Sequence, residues 1–183
     1  GDVADIEYLA FRRPDFDELP VLPNLKAMFS RSAGVDGFVS HPRLPKVPLG
    51  KMDPSAGDPM MTEYVIMHVL RFHREMPAYQ ERQARGEWAR VPFVRPEQRR
   101  IGFLGYGVMA KPPALVLKSL GCPVSAWVRS PKPDAEIEIF HGDDQFEAFL
   151  AQTDIAVCLL PLTNETEGIL GARTFNKMPK GSM

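Results

Sequence analysis

A strand, a glycine turn and a helix follow one another between residues 99 and 120, and this run constrains the fold more than any other stretch. Residues 101–104 are almost all apolar, which is typical of a strand buried on both faces. Gly105-Tyr106-Gly107 follows, and its two glycines allow backbone torsions and a close ligand approach that a Cβ would prevent. Apolar residues at helical spacing over 114–120 then predict a helix.

The turn fits a known phosphate-binding pattern. Gly105-x-Gly107-x-x-Ala110 is the form of the dinucleotide-binding fingerprint in which alanine replaces the third glycine. In that arrangement, free N–H groups and the positive end of the helix dipole meet a pyrophosphate. An ordinary tight turn between a strand and a helix is the alternative, and the strand before it and the helix after it favour the binding site.

Two prolines interrupt the start of the expected helix. Pro112 and Pro113 would each remove a hydrogen bond if the helix began at Val108. We therefore expect the regular helix to start near Pro112 or Pro113, where proline is tolerated. This predicts a longer glycine loop than usual and weaker phosphate binding.

Composition excludes several classes of partner. The chain has 183 residues, which corresponds to about one domain or a little more, and its 22 basic and 23 acidic residues give no reason to expect nucleic acid. The longest apolar run, over 155–162, is too short to span a bilayer, and no signal segment follows Gly1, so we expect no membrane partner. The isolated Cys122 and Cys158 are interpreted as small core residues in a reducing cytoplasm.

Alternating strand and helix patterns predict an α/β fold with a doubly wound, Rossmann-like, mostly parallel sheet. After residue 101 the expected strands are 124–128, 136–140 and 155–160, and the expected helices are 143–151 and 174–178. Before it, the expected elements are strands at 6–11 and 25–30, an irregular connector at 41–59 and one long helix at 60–83, bent near Pro77. Trp88, on the polar arm that follows, suggests either a contact surface or packing onto its own domain.

A second small-residue loop, at 31–37, directly follows the strand at 25–30. Open α/β sheets place ligands at the carboxyl ends of their strands, which makes this loop a candidate site. A simple tight turn is the alternative, and local sequence alone favours it.

The residue that selects the cofactor is expected after the strand at 124–128. Arg129 lies there, and its fork of donors suits the 2′-phosphate of NADP, with Lys132 adding charge. Two solvated loop cations are the alternative interpretation; we favour NADP over NAD. The four histidines show no metal-ligand spacing, so we expect no metal site.

With these residues in place, the chain resembles the D-2-hydroxyacid dehydrogenases, and most of all their glyoxylate/hydroxypyruvate reductase branch. Five blocks carry the resemblance, in order along the chain: LKAMFSRSAGVDGF at 25–38, MTEYVIMHVL at 61–70, IGFLGYGVMA at 101–110, WVRSPK at 127–132 and LLPLTNETEGIL at 159–170. The resemblance implies an incomplete dinucleotide-binding domain at 99–183, part of a flavodoxin-like substrate domain at 1–58, and a linking helix and dimerisation arm at 59–98.

The resemblance also implies site residues. The loop that receives the substrate carboxylate matches Ala33, Gly34 and Val35, and the pyrophosphate turn matches Tyr106, Gly107, Val108 and Met109. The 2′-phosphate contact of NADP-preferring members matches Arg129 and Ser130, and positions along the nicotinamide and its ribose match Leu160, Pro161 and Thr166. The stretch over 60–88 matches the helix and arm exchanged in a homodimer.

The implied function is reduction of a small 2-keto acid by the intact protein. In the family, hydride transfer uses an Arg, a His and a Glu, all beyond the position matching Met183, so no catalytic residue is assigned in this chain. The sequence is therefore interpreted as an internal piece of a longer protein, inactive by itself. A cofactor-responsive, corepressor-like binding protein without turnover is the alternative; a fragment that binds nothing well is a third.

Overall fold

The structure is a computed structural model that describes residues 2–32, 34–52, 58–133 and 135–183. The chain divides into two compact units, one formed by Gly1–Ser55 with Pro161–Glu167 and the other by Ala56–Leu160 with Gly168–Met183. The division into functional domains at 1–58, 59–98 and 99–183 stays a prediction.

The smaller unit contains a parallel three-stranded sheet. Its strands are β1 (Tyr8–Phe11), β2 (Ala27–Ser30) and β3 (Leu49–Lys51), in the order β1-β2-β3, with the short helix α1 at Asp36–Val39. Phe11, Phe16 and Met28 form the buried centre of this unit. Both expected strands are present, each beginning two residues later than its sequence pattern indicates.

The larger unit is built on a parallel four-stranded sheet with the order β6-β5-β4-β7. Its strands are β4 (Ile101–Leu104), β5 (Val124–Val128), β6 (Glu138–His141) and β7 (Ile155–Cys158). Its helices are α2 (Pro59–His73), α3 (Met76–Ala84), α4 (Lys111–Ser119), α5 (Phe146–Ala151) and α6 (Ala172–Phe175). This order corresponds to strands 3-2-1-4 of the doubly wound dinucleotide-binding fold, as the sequence pattern predicts.

Residues of the central strand β4 alternate between two hydrophobic clusters, because successive side chains of a strand point to opposite faces. Ile101 and Phe103 pack with residues of α2 and α4, whereas Leu104 packs with Phe149 and Leu150 of α5. Every residue of β4 is buried. Helices therefore cover both faces of the sheet, and the ends of β4 remain as the places where a ligand could approach.

The long helix expected over 60–83 is two helices. α2 ends at His73 and α3 begins at Met76, with Glu75 between them in the left-handed region at φ 54°. The carboxylate of Glu75 accepts a hydrogen bond of 2.9 Å from the buried Arg99. The break thus precedes Pro77, which falls at the second position of α3, where its missing N–H costs no helical bond.

The two cysteines differ in exposure. Cys122 is buried, as expected, but Cys158 is exposed at the end of β7, so the interpretation of both as core residues is wrong for Cys158. Among helices of the described residues, none has both the length and the apolar character needed to cross a membrane.

Candidate functional site

The carboxyl ends of β5, β4 and β7 meet at one edge of the larger sheet. Leu104, the last residue of β4, is paired with Trp127 of β5 and Cys158 of β7. The pairing continues past the strand, because the Gly105 amide donates to the Trp127 carbonyl at 2.9 Å and the Leu159 amide donates to the Leu104 carbonyl at 3.2 Å. The glycine turn therefore lies between the segments that follow β5 and β7.

Gly105 is required by the fold of this edge. Its φ is +94°, a torsion that side chains disfavour, and a Cβ placed on it would lie 3.0 Å from Cδ2 of Leu160. The predicted site residue Leu160 thus packs directly against the first glycine of the turn. Together these two residues bring the end of β7 close to the end of β4.

Gly107 has a different environment. A Cβ placed on it would meet no atom of the described residues within 4 Å, so the space beside it is open. Its carbonyl accepts hydrogen bonds from the amides of Ala110 (3.1 Å) and Lys111 (3.0 Å), which closes the turn. The second glycine therefore leaves room for a ligand next to the main chain.

Four successive amides of the turn have no acceptor within the part of the chain that the structure describes. They belong to Tyr106, Gly107, Val108 and Met109. Unpaired N–H groups that precede a helix attract an anion, because the helix dipole adds to their own partial positive charges. This cluster of donors is the most specific chemical feature of the edge.

Helix α4 begins at Lys111, with Ala110 as its N-cap residue. Pro112 and Pro113 consequently occupy its second and third positions, whose N–H groups would have no partner within the helix. The expectation that the regular helix starts near these prolines is confirmed. Weaker phosphate binding at the longer loop stays a prediction.

The side chain of Tyr106 is buried beneath the turn, in the cluster that includes β4 and α4. Its hydroxyl hydrogen-bonds to no described residue. Burial, and secondly the nearby Glu136 carboxylate, raise the pKa of this phenol, so it stays protonated. The main-chain amide of Tyr106, rather than its side chain, is the group placed to meet a ligand.

Arg129, Ser130 and Lys132 are exposed and follow β5 directly. They lie at the carboxyl edge that also carries Gly105, since β4 and β5 are parallel and in register there. A short polar loop with two cations therefore borders the turn on the side opposite Leu160.

Sequence reasoning did not single out Lys111 or Glu136, whose side chains form an ion pair of 3.2 Å.

The hydroxyl of Thr166 closes its own loop. It donates to the Pro161 carbonyl at 2.5 Å and accepts a hydrogen bond from the Thr163 amide at 2.8 Å. Pro161 and Thr166 belong to the smaller compact unit, whereas Leu160 belongs to the larger one. Within the smaller unit, these hydrogen bonds of the Thr166 hydroxyl stabilise the loop.

The predicted carboxylate-binding loop also lies in the smaller unit. The carbonyl of Val35 accepts from Phe38 (3.1 Å) and Val39 (2.9 Å) at the start of α1. The amides of Gly34 and Val35 donate to no described residue, so two adjacent donors remain for a ligand. Ala33, the third predicted member, lies outside the described residues.

Within the described ranges, no cluster of three or more His, Cys, Asp or Glu side chains could hold a metal ion.

Comparison with known families identifies the chain. The family model for the D-isomer specific 2-hydroxyacid dehydrogenase, NAD-binding domain, matches residues 66–183. The chain belongs to the D-isomer specific 2-hydroxyacid dehydrogenase family. The resemblance drawn from the five sequence blocks is therefore confirmed, and so is the Rossmann-like fold class.

Curated members of the D-isomer specific 2-hydroxyacid dehydrogenase family include two similar reductases. Glyoxylate/hydroxypyruvate reductase A of Escherichia fergusonii is 36% identical over 160 residues, which cover 84% of this chain and 51% of that protein. The protein of the same name from Serratia proteamaculans is 34% identical, over 100% of this chain and 60% of its own length. The chain thus spans about half to three fifths of the curated relatives it matches.

Solved structures of family members are similar over nearly the whole chain. One of them is a D-isomer specific 2-hydroxyacid dehydrogenase from Xanthobacter autotrophicus in complex with NADPH and MES. It matches with a TM-score of 0.85 at 35% identity, and the match covers 100% of this chain and 58% of the Xanthobacter chain. The NADPH-dependent glyoxylate/hydroxypyruvate reductase of Sinorhizobium meliloti, in complex with NADP and sulfate, has a TM-score of 0.85 at 32% identity, over 97% of this chain and 56% of that one.

Proposed function

We propose that this chain is the cofactor-binding portion, with part of the substrate-binding portion, of an NADP(H)-dependent reductase of small 2-keto acids. The unpaired amides of Tyr106, Gly107, Val108 and Met109, beside the open space at Gly107, are the observation that carries the proposal. The relatives named as glyoxylate/hydroxypyruvate reductases, of which the Sinorhizobium meliloti protein is named NADPH-dependent, support glyoxylate or hydroxypyruvate as the substrate class.

The residues of the carboxyl edge fit a nicotinamide dinucleotide. The amides at 106–109 would hold the pyrophosphate, with the N-terminal end of α4 contributing its dipole. A bound nicotinamide supplies the hydride that reduces the keto group. Leu160, which packs against Gly105, would present an apolar surface next to the turn.

NADP is the preferred cofactor in this proposal. Arg129, Ser130 and Lys132 follow β5, the position from which a dinucleotide-binding fold contacts the adenine ribose. A guanidinium and an ammonium favour a 2′-phosphate, whereas the carboxylate typical of NAD-specific sites is not found at these three positions. NAD is the second choice.

The substrate carboxylate would be held by main-chain donors of the smaller unit. The amides of Gly34 and Val35 donate to no described residue, and both follow β2 at its carboxyl end. Every 2-keto acid carries a carboxylate, so these donors recognise the class and not its individual members. Ala33 completes the proposed loop by sequence alone.

The intact protein is proposed to be a cytoplasmic homodimer that uses residues 60–88. Several large apolar side chains of this stretch are exposed, among them Met60, Tyr64 and Met67, and Trp88 is fully exposed. Exposed apolar residues in such number are typical of a surface that another molecule covers. The family resemblance suggests a second copy of the chain as the cover.

The proposal is tested by titrating the 183-residue chain with NADPH and NADH and recording nicotinamide fluorescence. We expect NADPH to bind about tenfold more tightly than NADH, because a 2′-phosphate gains a charge-assisted contact. Arg129→Asp should reverse this preference, and Arg173→Asp, an exposed arginine on α6, is the matched control. Equal affinities in the parent would argue against the 2′-phosphate role, and the absence of any dinucleotide binding would contradict the proposed function.

Turnover is a separate readout in the same experiment. We expect no reduction of glyoxylate or hydroxypyruvate by this chain alone, since the resemblance places the catalytic Arg, His and Glu beyond Met183. Measurable turnover would show that the chain contains a proton donor that this proposal does not recognise.

A further inference from the structure

Two lysines of α4 bind the same acidic residue. The Lys111 ammonium lies 3.2 Å from the Glu136 carboxylate, and the Lys118 ammonium donates to the Glu136 main-chain carbonyl. The two lysines are seven residues apart, which is close to two helical turns, so both project from the same side of α4. Ile137, next to Glu136, is buried in the core of the larger unit. Glu136 is therefore fixed at its side chain and at its main chain.

This ion pair borders the phosphate-binding turn. Lys111 is the first residue of α4 and comes two positions after Met109, the last of the unpaired amides. Beneath the turn, burial and then the charge of Glu136 raise the pKa of the Tyr106 phenol. The Glu136 carboxylate is thus held by the first residue of the helix that the turn leads into.

A carboxylate at this place would oppose an anionic ligand. Two negative charges repel, and because both side chains of the pair are about half exposed, the repulsion is strongest at low ionic strength. The Lys111 ammonium offsets the Glu136 charge, and the bond from Lys118 to the main-chain carbonyl helps to hold the segment against α4.

We propose that Lys111 neutralises Glu136 beside the turn, and that the affinity of the chain for dinucleotide phosphates depends on this cancellation. The inference rests on the proposed cofactor role of the turn. Lys111 and Glu136 act as positioning residues, because they set the electrostatic potential at the amides rather than contact the reacting atoms. The pair acts on the pyrophosphate, so it affects NADPH and NADH alike.

The two members of the pair have opposite expected effects, which makes a double-mutant cycle decisive. Lys111→Met leaves the negative charge of Glu136 uncompensated and should weaken NADPH and NADH binding about three- to tenfold at low ionic strength. Glu136→Gln leaves the ammonium uncompensated and should tighten binding about two- to fivefold. The double variant should return to within about twofold of the parent. Lys111→Arg keeps the charge and should bind as the parent does.

The control is a pair of the same kind elsewhere in the larger unit. Lys177 and Glu147 are 3.0 Å apart and comparably exposed, and they join α5 to the segment after α6. Lys177→Met should leave dinucleotide affinity unchanged. Raising the salt concentration should reduce the effects of both Lys111 and Glu136 variants, since salt screens exposed charges.

The outcomes separate this inference from the proposed function. If the parent binds dinucleotides but Lys111→Met and Glu136→Gln both weaken binding equally, the pair only holds the segment in place and the inference is overturned. Unchanged affinity in Lys111→Met overturns it as well. If the parent binds neither dinucleotide, the proposed function fails and this inference fails with it.

Discussion

Gly105 and Leu160 are in contact at the carboxyl edge of the larger sheet, where a Cβ on the glycine would come 3.0 Å from Cδ2 of the leucine. Gly107, two residues later, faces open space instead. The two glycines of one motif therefore have different roles. The first permits the chain to turn between two strands, and the second keeps the main chain accessible.

We expect Gly105→Ala to destabilise the protein by about 1–3 kcal/mol, because the new methyl group meets Leu160 and the φ of +94° disfavours a side chain. The free energy of unfolding from urea denaturation provides the measurement. Gly86→Ala is the matched control, as its φ is +66° but its Cβ would meet nothing within 4 Å. Equal losses in the two variants would show that the contact with Leu160 adds nothing to the cost of the torsion.

Asp154 ties the start of β7 to the start of β4. Its carboxylate accepts three hydrogen bonds from Arg100: from the main-chain amide at 2.8 Å, from Nε at 3.0 Å and from a terminal nitrogen at 2.5 Å. Burial raises the pKa of Asp154, but the bonds from Arg100 outweigh it and the net pKa is below the usual range. The pair therefore stabilises the fold above about pH 4, and that contribution is lost as the pH falls further.

We predict that Asp154→Ala lowers the free energy of unfolding by about 1–3 kcal/mol at neutral pH. The difference from the parent should shrink as the pH approaches about 3. Chemical denaturation at several pH values checks this, with Glu147→Ala at an exposed ion pair as the control. A difference that stays constant down to the lowest pH would mean that packing, and not the charge, accounts for the loss.

His73 predicts a separate pH effect near neutrality. It is buried at the end of α2, and its Nδ1 hydrogen-bonds to no described residue. Burial, followed by the Arg99 and Arg74 guanidinium groups, lowers the pKa of His73, while Glu75 opposes them. The imidazole is thus neutral in the fold and more readily protonated in the unfolded chain, so stability falls as the pH drops below about 6.5.

We expect His73→Gln to reduce the dependence of Tm on pH between about pH 7 and pH 5. His68→Gln is the control, because His68 lies on the same helix with its ring tilted against that of Tyr64 at a centroid separation of 4.4 Å. Thermal unfolding recorded across this range supplies the measurement. An unchanged slope in His73→Gln would assign the acid sensitivity to other groups.

The sheet of the larger unit could be predicted from sequence because buried parallel strands are nearly continuous apolar runs. The apolar run over 101–104 and the strand at 124–128 fall where the sequence places them. A bend near Pro77 was predicted from sequence, but the complete break before it was not, and the residue at the break, Glu75, bonds to Arg99, 24 positions away. The local periodicity of a sequence does not reveal a contact between residues so far apart in the chain.

The candidate site also depends on contacts between distant residues that the sequence pattern does not reveal. The motif located the turn, but it did not distinguish Gly105 from Gly107, because the difference arises from Leu160, which is far away in sequence. In the same way, the exposure of Cys158 depends on what surrounds β7 and not on the apolar run in which it lies. Lys111 and Glu136 went unnoticed because their pairing requires α4 to lie beside the segment that precedes β6.

The central claim is that the amides beside Gly107 bind the phosphates of a nicotinamide dinucleotide. The most direct measurement is a calorimetric titration of NADPH into the parent chain and into Gly107→Val, with Tm recorded for both. We predict binding by the parent and a loss of at least about tenfold in affinity for Gly107→Val at nearly unchanged Tm, because the side chain would fill the open space beside the amides. Equal affinity in the two proteins would contradict the account.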